Sequence, residues 1–566
     1  MTHKTDNDIN QNLNHLLETQ PLSNTERLKV GIIGGGVAGS TIAIRLAALG
    51  IETYLFEAKA SLIDGPPMCH LHAGGNLYRE IPDEDCVELL KQSIDMLRMY
   101  PHSIDVRPTI IAIPKRDEGN PEDLLPRLQL LTREYKAMIE ADPANKVLGE
   151  AEDYYRLYDR QQLEALIKAN DSDPSVFPED QIPKELDHWM LNAAKNLDLD
   201  KLKFPIVAVQ EYGWNIFRLA ASAQIALGFY PNAHLLLNTQ VINVTEADAV
   251  ENNLTNNLEN KLANSDTNNN ASTPKWVINY QQSIEHQQAQ TQSITVDYLI
   301  NACGFKTGII DNMIGVPVQR MVEFKASYVT HWSKMAQAAT ATKEPVSEDL
   351  VHPSIRLPEI IIHGKRGTPQ GMVQLTPYPD GYYQIHSMNK AVTLFKDGLV
   401  ATKEDDAQPE LKSKYLDYIK EGWNPATLHE RSQRAIDEVS EFVPNFATAT
   451  PTENALYGGQ QIPGDNDTLR VADVSLYPEL NYARAENVKA SSALEASDDI
   501  VAVLESQKFI QSTPQQDSTR QHHQWIYLSH IGKQDVDKLA RQFASERAFP
   551  TPMSGVVTPL SQQQTA

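Results

Sequence analysis

The chain has 566 residues, 41% of them hydrophobic and 22% charged, which is enough for more than one domain with a large core. Asp and Glu number 74 against 50 Lys and Arg, a net charge of −24, and this argues against nucleic acid or an anionic membrane as the main partner, since both need a basic face. No apolar run reaches the length of a membrane span, the N-terminus lacks a signal-peptide core, and Cys69, Cys86 and Cys303 show neither metal-ligand spacing nor a disulfide framework, so a reducing cytoplasm is expected.

Residues 1–27 are polar and rich in Asn and Gln, and are expected to be a disordered arm. The stretch 29–58, KVGIIGGGVAGSTIAIRLAALGIETYLFEA, then reads as strand, turn, helix, strand and terminal acid. Its glycines, Gly34, Gly36 and Gly39, have the spacing of a dinucleotide-binding turn. Gly34 permits the tight turn, Gly36 lets a pyrophosphate approach the backbone, and Gly39 lets the helix pack close to the strand. The helix start, with Val37 and Ala38, offers free N–H groups to phosphates. Glu57, 23 residues after Gly34 and followed by Ala58, is placed to accept hydrogen bonds from ribose hydroxyls.

Residues 65–81, GPPMCHLHAGGNLYREI, read as a shaped loop carrying His70, His72, Gly74 and Gly75. Periodicity predicts helices over 85–100, 121–141, 159–169 and 214–227. Strands are expected at 109–113 and 235–244, the latter containing Val241. Residues 249–275 lack apolar period and read as a flexible insertion, followed by strands at 276–280 and 294–300 that lead into the turn Asn301, Ala302, Cys303, Gly304. Alternating strands at 324–330, 359–363, 371–375 and 382–386 suggest an antiparallel sheet with one face open to solvent or a pocket. Helices over 409–421 and 425–439 close this region, the second capped by Asn424. GGQQIPGDNDT, 458–468, reads as a loop, 468–473 as a strand ending on Asp473, 485–505 as a helix and 506–566 as a polar tail with one further helix within 525–543.

The pattern resembles the FAD-dependent oxidoreductases of the D-amino-acid oxidase type, and within them the branch of the FAD-linked glycerol-3-phosphate dehydrogenases. Four pieces carry the resemblance: the unit ending on Glu57, the loop HLHAGGNLYREI, the pair NTQVINV and DYLINACG, and LRVAD with its following helix. The first is shared by many flavoproteins and the others are looser; where related flavoproteins have Gly-Asp, this chain has Ala472 and Asp473.

The resemblance implies an α/β protein: a doubly wound, three-layer FAD domain and a substrate domain on a mostly antiparallel sheet. The expected FAD domain is discontinuous (28–104, 206–314 and 447–505), with the substrate domain at 105–205 and 315–446. The resemblance adds Gly74, Gly75, Val241, Ala302, Gly304 and Asp473 to the cofactor contacts at the fingerprint.

The expected function is hydride removal from a small polar metabolite (an amine, amino acid or hydroxy acid) onto the flavin. A second dinucleotide fingerprint and a C-x-x-x-x-C pair are missing, which sets aside a disulfide reductase of the glutathione reductase type. The alternatives are a flavin monooxygenase or NAD(P)H-dependent reductase, and an FAD-binding protein of tRNA modification. The acceptor stays open among oxygen, a quinone and a carrier, and the location is cytoplasmic or peripheral at the inner membrane. His72 and His386 are the candidate bases; the plain reading of His72 is a hydrogen-bonded loop histidine, and His386 is a base candidate if its strand face forms the pocket floor and a satisfied polar residue if that face meets the core. Lys365, Arg366 and Tyr382 are the candidate substrate contacts, with a solvated basic turn as the plain reading of the first two. No metal site is expected.

Overall fold

The computed structural model describes residues 28–64, 71–72, 81–178, 181–247, 275–283, 290–332, 356–466, 474–487, 489–510, 528 and 530–557. The arm 1–27, most of the insertion 249–275, Cys69, His70, Gly74, Gly75, the strand expected at 468–473 and Asp473 lie outside them.

The strand Lys29–Ile33 is apolar and buried from Val30 onward because it is central in its sheet. It pairs in parallel with Glu52–Phe56 on one side and Tyr298–Asn301 on the other. Ala233–Leu236 and Tyr482–Ala485 extend the sheet in parallel, and Val474–Tyr477 closes one edge antiparallel. The helices Val37–Ala48, Ile216–Gly228 and Ala493–Ser506 pack on one another against this sheet. A three-stranded antiparallel sheet, Thr239–Glu246, Trp276–Gln282 and Thr291–Val296, supplies a further layer. Its Ile278 and Val296 press on Gly31, where a Cβ would sit 2.4 Å from the Ile278 side chain.

The second sheet has nine strands. Arg320–His331 pairs with Tyr382–Ser387, and Val373–Pro377, Glu359–Ile362, Thr109–Ala112, Ile206–Val209 and Tyr155–Tyr158 follow outward. Thr450–Pro463 pairs with Arg320–His331 along its length, and Leu399–Ala401 pairs with Met321–Glu323 on the other side. The pairing is antiparallel except between Thr109–Ala112 and Glu359–Ile362. One face is apolar (Ile110, Tyr328, Leu375, Ile385) and packs with Met190 and Ile436 of the helices Leu186–Ala194 and Pro425–Ser440. The other carries Lys325, Ser327, Gln374, Gln384 and His386, because side chains alternate along each strand.

Several expectations are corrected. Ile206–Val209 and Thr450–Pro463, expected in the nucleotide domain, are strands of the nine-stranded sheet. The loop expected at 458–468 is in part the end of Thr450–Pro463, held in register by Arg320–Phe324. The strand expected over 235–244 breaks at Asn238, whose φ of 53° turns the chain from the parallel sheet into the antiparallel layer. The strand expected over 294–300 breaks at Asp297, whose carboxylate accepts the Lys29 N–H at 2.8 Å. The helix expected over 485–505 is the strand Tyr482–Ala485 followed, after a gap, by the helix Ala493–Ser506. Within 506–566 the helix Lys533–Glu546 buries Val536, Ala540 and Phe543, and packs on Ile216–Gly228.

Candidate functional site

At the C-terminal ends of the central strands the fold leaves a cleft of about 1410 Å³, lined by residues of both sheets. This exceeds the roughly 300–1,000 Å³ of an ordinary small-ligand pocket. Gly34, Gly36, Val37, Ala38, Glu57, Ala58, Val241, Ala302 and Gly304 all line it. Gly39 is buried behind them; a Cβ there would lie 1.9 Å from the Gly34 carbonyl oxygen. Gly34 has φ +103°, and its Cβ would meet the Ala302 oxygen at 2.3 Å. Gly36 differs: nothing lies within 4 Å of where its Cβ would be. Its open side faces the cleft beside the start of the helix Val37–Ala48.

Glu57 directly follows the strand Glu52–Phe56, with one carboxylate oxygen accepting from the Gly35 N–H at 2.7 Å and the other from the Lys59 N–H at 2.8 Å. An ionised carboxylate has about four acceptor sites, so capacity remains for ligand hydroxyls. Burial pushes this carboxyl's pKa up, and the Lys59 and Gly35 amides oppose the shift. An open glycine cradle, a helix start and a held carboxylate on one cleft fit a dinucleotide such as FAD: Gly36, Val37 and Ala38 would hold its pyrophosphate and Glu57 a ribose.

The polar face of the nine-stranded sheet supplies His386, Lys325 and Gln460 to the same cleft. His386 sits opposite Gln374, and Gln384, two residues earlier, donates to the Ser327 hydroxyl at 2.7 Å. Lys325 Nζ donates to Gln460 Oε1 at 2.6 Å and pairs with Glu323 at 2.9 Å. Burial raises the Glu323 pKa, and the Lys325 and Arg366 cations outweigh it, so the net shift is downward. Further along the face, Gln374 donates to Glu359 Oε1 at 2.6 Å, and Arg107 pairs with Glu359 at 3.4 Å. Glu211 is fully buried; burial first and Glu359 second push its carboxyl well up, against Lys489.

The other candidates divide. Among the described residues, Lys365, Arg366 and Tyr382 do not line the cleft. Lys365 is exposed. Arg366 donates to both Glu323 oxygens at 2.8 Å, so its charge is already matched. Tyr382 shares a strand face with His386 but packs on His331 at 4.9 Å. His72 is described only as backbone, paired with Gly213; its side chain lies outside the described residues.

Sequence reading missed Lys325, Trp423, Asn487 and Arg547 as lining residues. The signal for Lys325 was the charged pair Glu323 and Lys325 alternating with the apolar Phe324 and Ala326, which puts both charges on one strand face. Arg547 gave no signal, since nothing local ties a residue near the C-terminus to loop 61–64, where its guanidinium donates to the Leu62 carbonyl at 2.7 Å and the Ser61 hydroxyl at 2.8 Å.

No family model and no curated protein matches the chain. Among solved structures it is similar to L-amino acid deaminase from Proteus vulgaris, at 12% identity and TM-score 0.48, over 88% of this chain and 98% of that one. It is similar to glycerol-3-phosphate dehydrogenase from Bacillus halodurans complexed with FAD, at 12% identity and TM-score 0.45, over 94% and 82%. It is also similar to glycine oxidase from Geobacillus kaustophilus, at 11% identity and TM-score 0.45, over 86% and 96%.

Proposed function

We propose that this chain is an FAD-dependent oxidoreductase that takes a hydride from a C–H bond of a small polar metabolite, an amine, amino acid or hydroxy acid. One observation carries the reading: the glycine cradle and Glu57 open onto the same cleft as the polar face of the second sheet. FAD, when bound, supplies the two-electron acceptor. The backbone amides at Val37 and Ala38 bind phosphate, and Glu57 fixes the ribose. His386 takes the proton from the substrate N–H or O–H as the C–H bond breaks. Lys325 and Gln460, bonded to each other, orient a polar substrate group. No helix among the described residues is long and apolar enough to cross a membrane.

The test is the visible spectrum of the purified protein before and after acid precipitation. Flavin that leaves with the supernatant, and that in the intact holoprotein is bleached without oxygen by a member of a panel of amines, amino acids and hydroxy acids, supports the reading. A protein that stays colourless with added FAD overturns it. Bleaching by NAD(P)H in place of the panel turns the assignment to a reductase or monooxygenase.

A further inference from the structure

Three aromatic rings from separate segments, Phe305, Trp423 and Tyr457, line the cleft. Each is only part-buried, although each borders a fully buried aromatic core around Phe324 and Tyr415. Their orientations are held from behind. Tyr418 stacks on Trp423 at 4.5 Å and 8°, and Tyr457 meets it edge-on at 5.4 Å and 75°. Phe395 abuts the indole at 5.9 Å. The Arg431 guanidinium lies 3.9 Å over the Phe395 ring and donates to the Tyr328 hydroxyl at 2.6 Å. Phe305 rests on Gly459, where a Cβ would come 2.7 Å from the ring. The segment carrying Trp423 is set by Gly422, with φ +87°, and by Asn424, whose side chain caps the next helix.

The three rings are packed against their neighbours, left partly bare, and share a cleft with His386 and Lys325. We propose that Phe305, Trp423 and Tyr457 form a side-chain subsite, and that the substrate is an amine, amino acid or hydroxy acid carrying an aryl group. The proposal rests on the oxidoreductase reading for the head group, while the wall itself is independent of it. Fixed rings favour an aryl partner through stacked and edge-on contacts, and cost little ordering entropy on binding.

The test titrates the holoprotein with two matched pairs, propionate against 3-phenylpropionate and propylamine against 3-phenylpropylamine, and follows the flavin absorption. The aryl member of at least one pair is expected to bind about tenfold tighter or more, the effect of one or two aromatic contacts. Trp423→Ala is expected to erase most of that preference. Gly459→Ala, which displaces Phe305, and Tyr457→Leu are expected to reduce it, so the result does not hang on one variant folding. Equal affinity within each pair, absence of binding by all four, or a preference that survives all three substitutions overturns the proposal. Tighter binding of tetramethylammonium than of either aryl ligand also overturns it, since the rings would then be a cation site. Should the protein take up no FAD, the oxidoreductase reading fails separately, and the same titrations followed by tryptophan emission still decide the subsite.

Discussion

The glycines of the fingerprint have different jobs, and substitution separates them. At Gly36 a Cβ meets nothing within 4 Å, and the backbone φ of −67° suits any residue. Gly36→Val is therefore expected to keep the thermal midpoint within a few degrees and to lower FAD affinity by tenfold or more, because its side chain fills space a pyrophosphate needs. At Gly34 the φ of +103° and the 2.3 Å approach to the Ala302 oxygen make Gly34→Ala a folding lesion, with loss of soluble protein expected. Circular dichroism melts beside FAD fluorescence titrations check both. Equal loss of stability in the two variants would refute the division. Glu438 offers a pH test. It accepts from the Ser387 hydroxyl at 3.0 Å, and burial raises its carboxyl to about 7. Its folded pKa lies above the unfolded one, so its contribution is full below about pH 4.5 and is lost as pH rises through about 7. Stability should fall across that window by at most about 1.4 kcal/mol per pH unit from this group. Glu438→Gln should flatten the midpoint-versus-pH curve there, and an unchanged curve would refute the assignment.

Elements at the junction of the two sheets are joined by buried charge. Arg320, at the start of Arg320–His331, donates to Asp311 of the helix Thr307–Ile314 and, at 2.7 Å, to Glu486. Arg484 donates to the other Glu486 oxygen at 2.7 Å, and the Tyr482 hydroxyl to Asp311 at 2.6 Å. All five are buried, so each charge depends on its partners. The network also fixes the segment that brings Asn487 to the cleft, where its carbonyl accepts from Gln461 at 3.3 Å. Arg320→Met leaves two carboxylates short of a partner, and a loss of about 3–5 kcal/mol is expected in a denaturant melt. A loss under about 1 kcal/mol would mean that the acids protonate or find water at little cost.

Across the whole molecule, the C-terminal segment ties the sheets together around the cleft. The helix Lys533–Glu546 packs on Ile216–Gly228, and Arg218 pairs with Asp537. Arg547 holds loop 61–64 beside Glu57. Asn454, on a strand of the other sheet, donates to the Ala548 carbonyl at 2.7 Å, and Asn215 donates to the Met553 and Gly555 carbonyls at 2.7 and 2.9 Å. Removing residues 530–566 is expected to bare the apolar face of Ile216–Gly228 and open the cleft wall. The truncated protein should release FAD at least tenfold faster on dilution, seen as a rise in flavin emission, and should be cut sooner by protease. Retention of FAD at the full-length rate would show that the segment is dispensable to the cleft.

The strand–turn–helix–strand unit over 29–58 was legible in the sequence because everything it needs is local: glycine spacing, the apolar run from Val30 to Ile33, a helix and a terminal acid. The alternation of the second sheet was legible for the same reason, since a period of two in Tyr382–Ser387 already puts Gln384 and His386 on one face. Which face looked into a cleft was decided only by tertiary structure, because burial depends on what packs from a distance. That also governed the errors. Gln460 and Gln461 sit among turn residues, yet pairing with Glu323 and Val322 makes a strand of them. Arg366 looked like a free cation until Glu323, 43 residues away, was brought to it. The sequence by itself determined the fingerprint and the strand periodicities, which are nearest-neighbour chemistry; only the folded chain decided how 305, 386, 423, 457 and 547 meet on one cleft, because long-range packing sets those contacts and no local pattern encodes them.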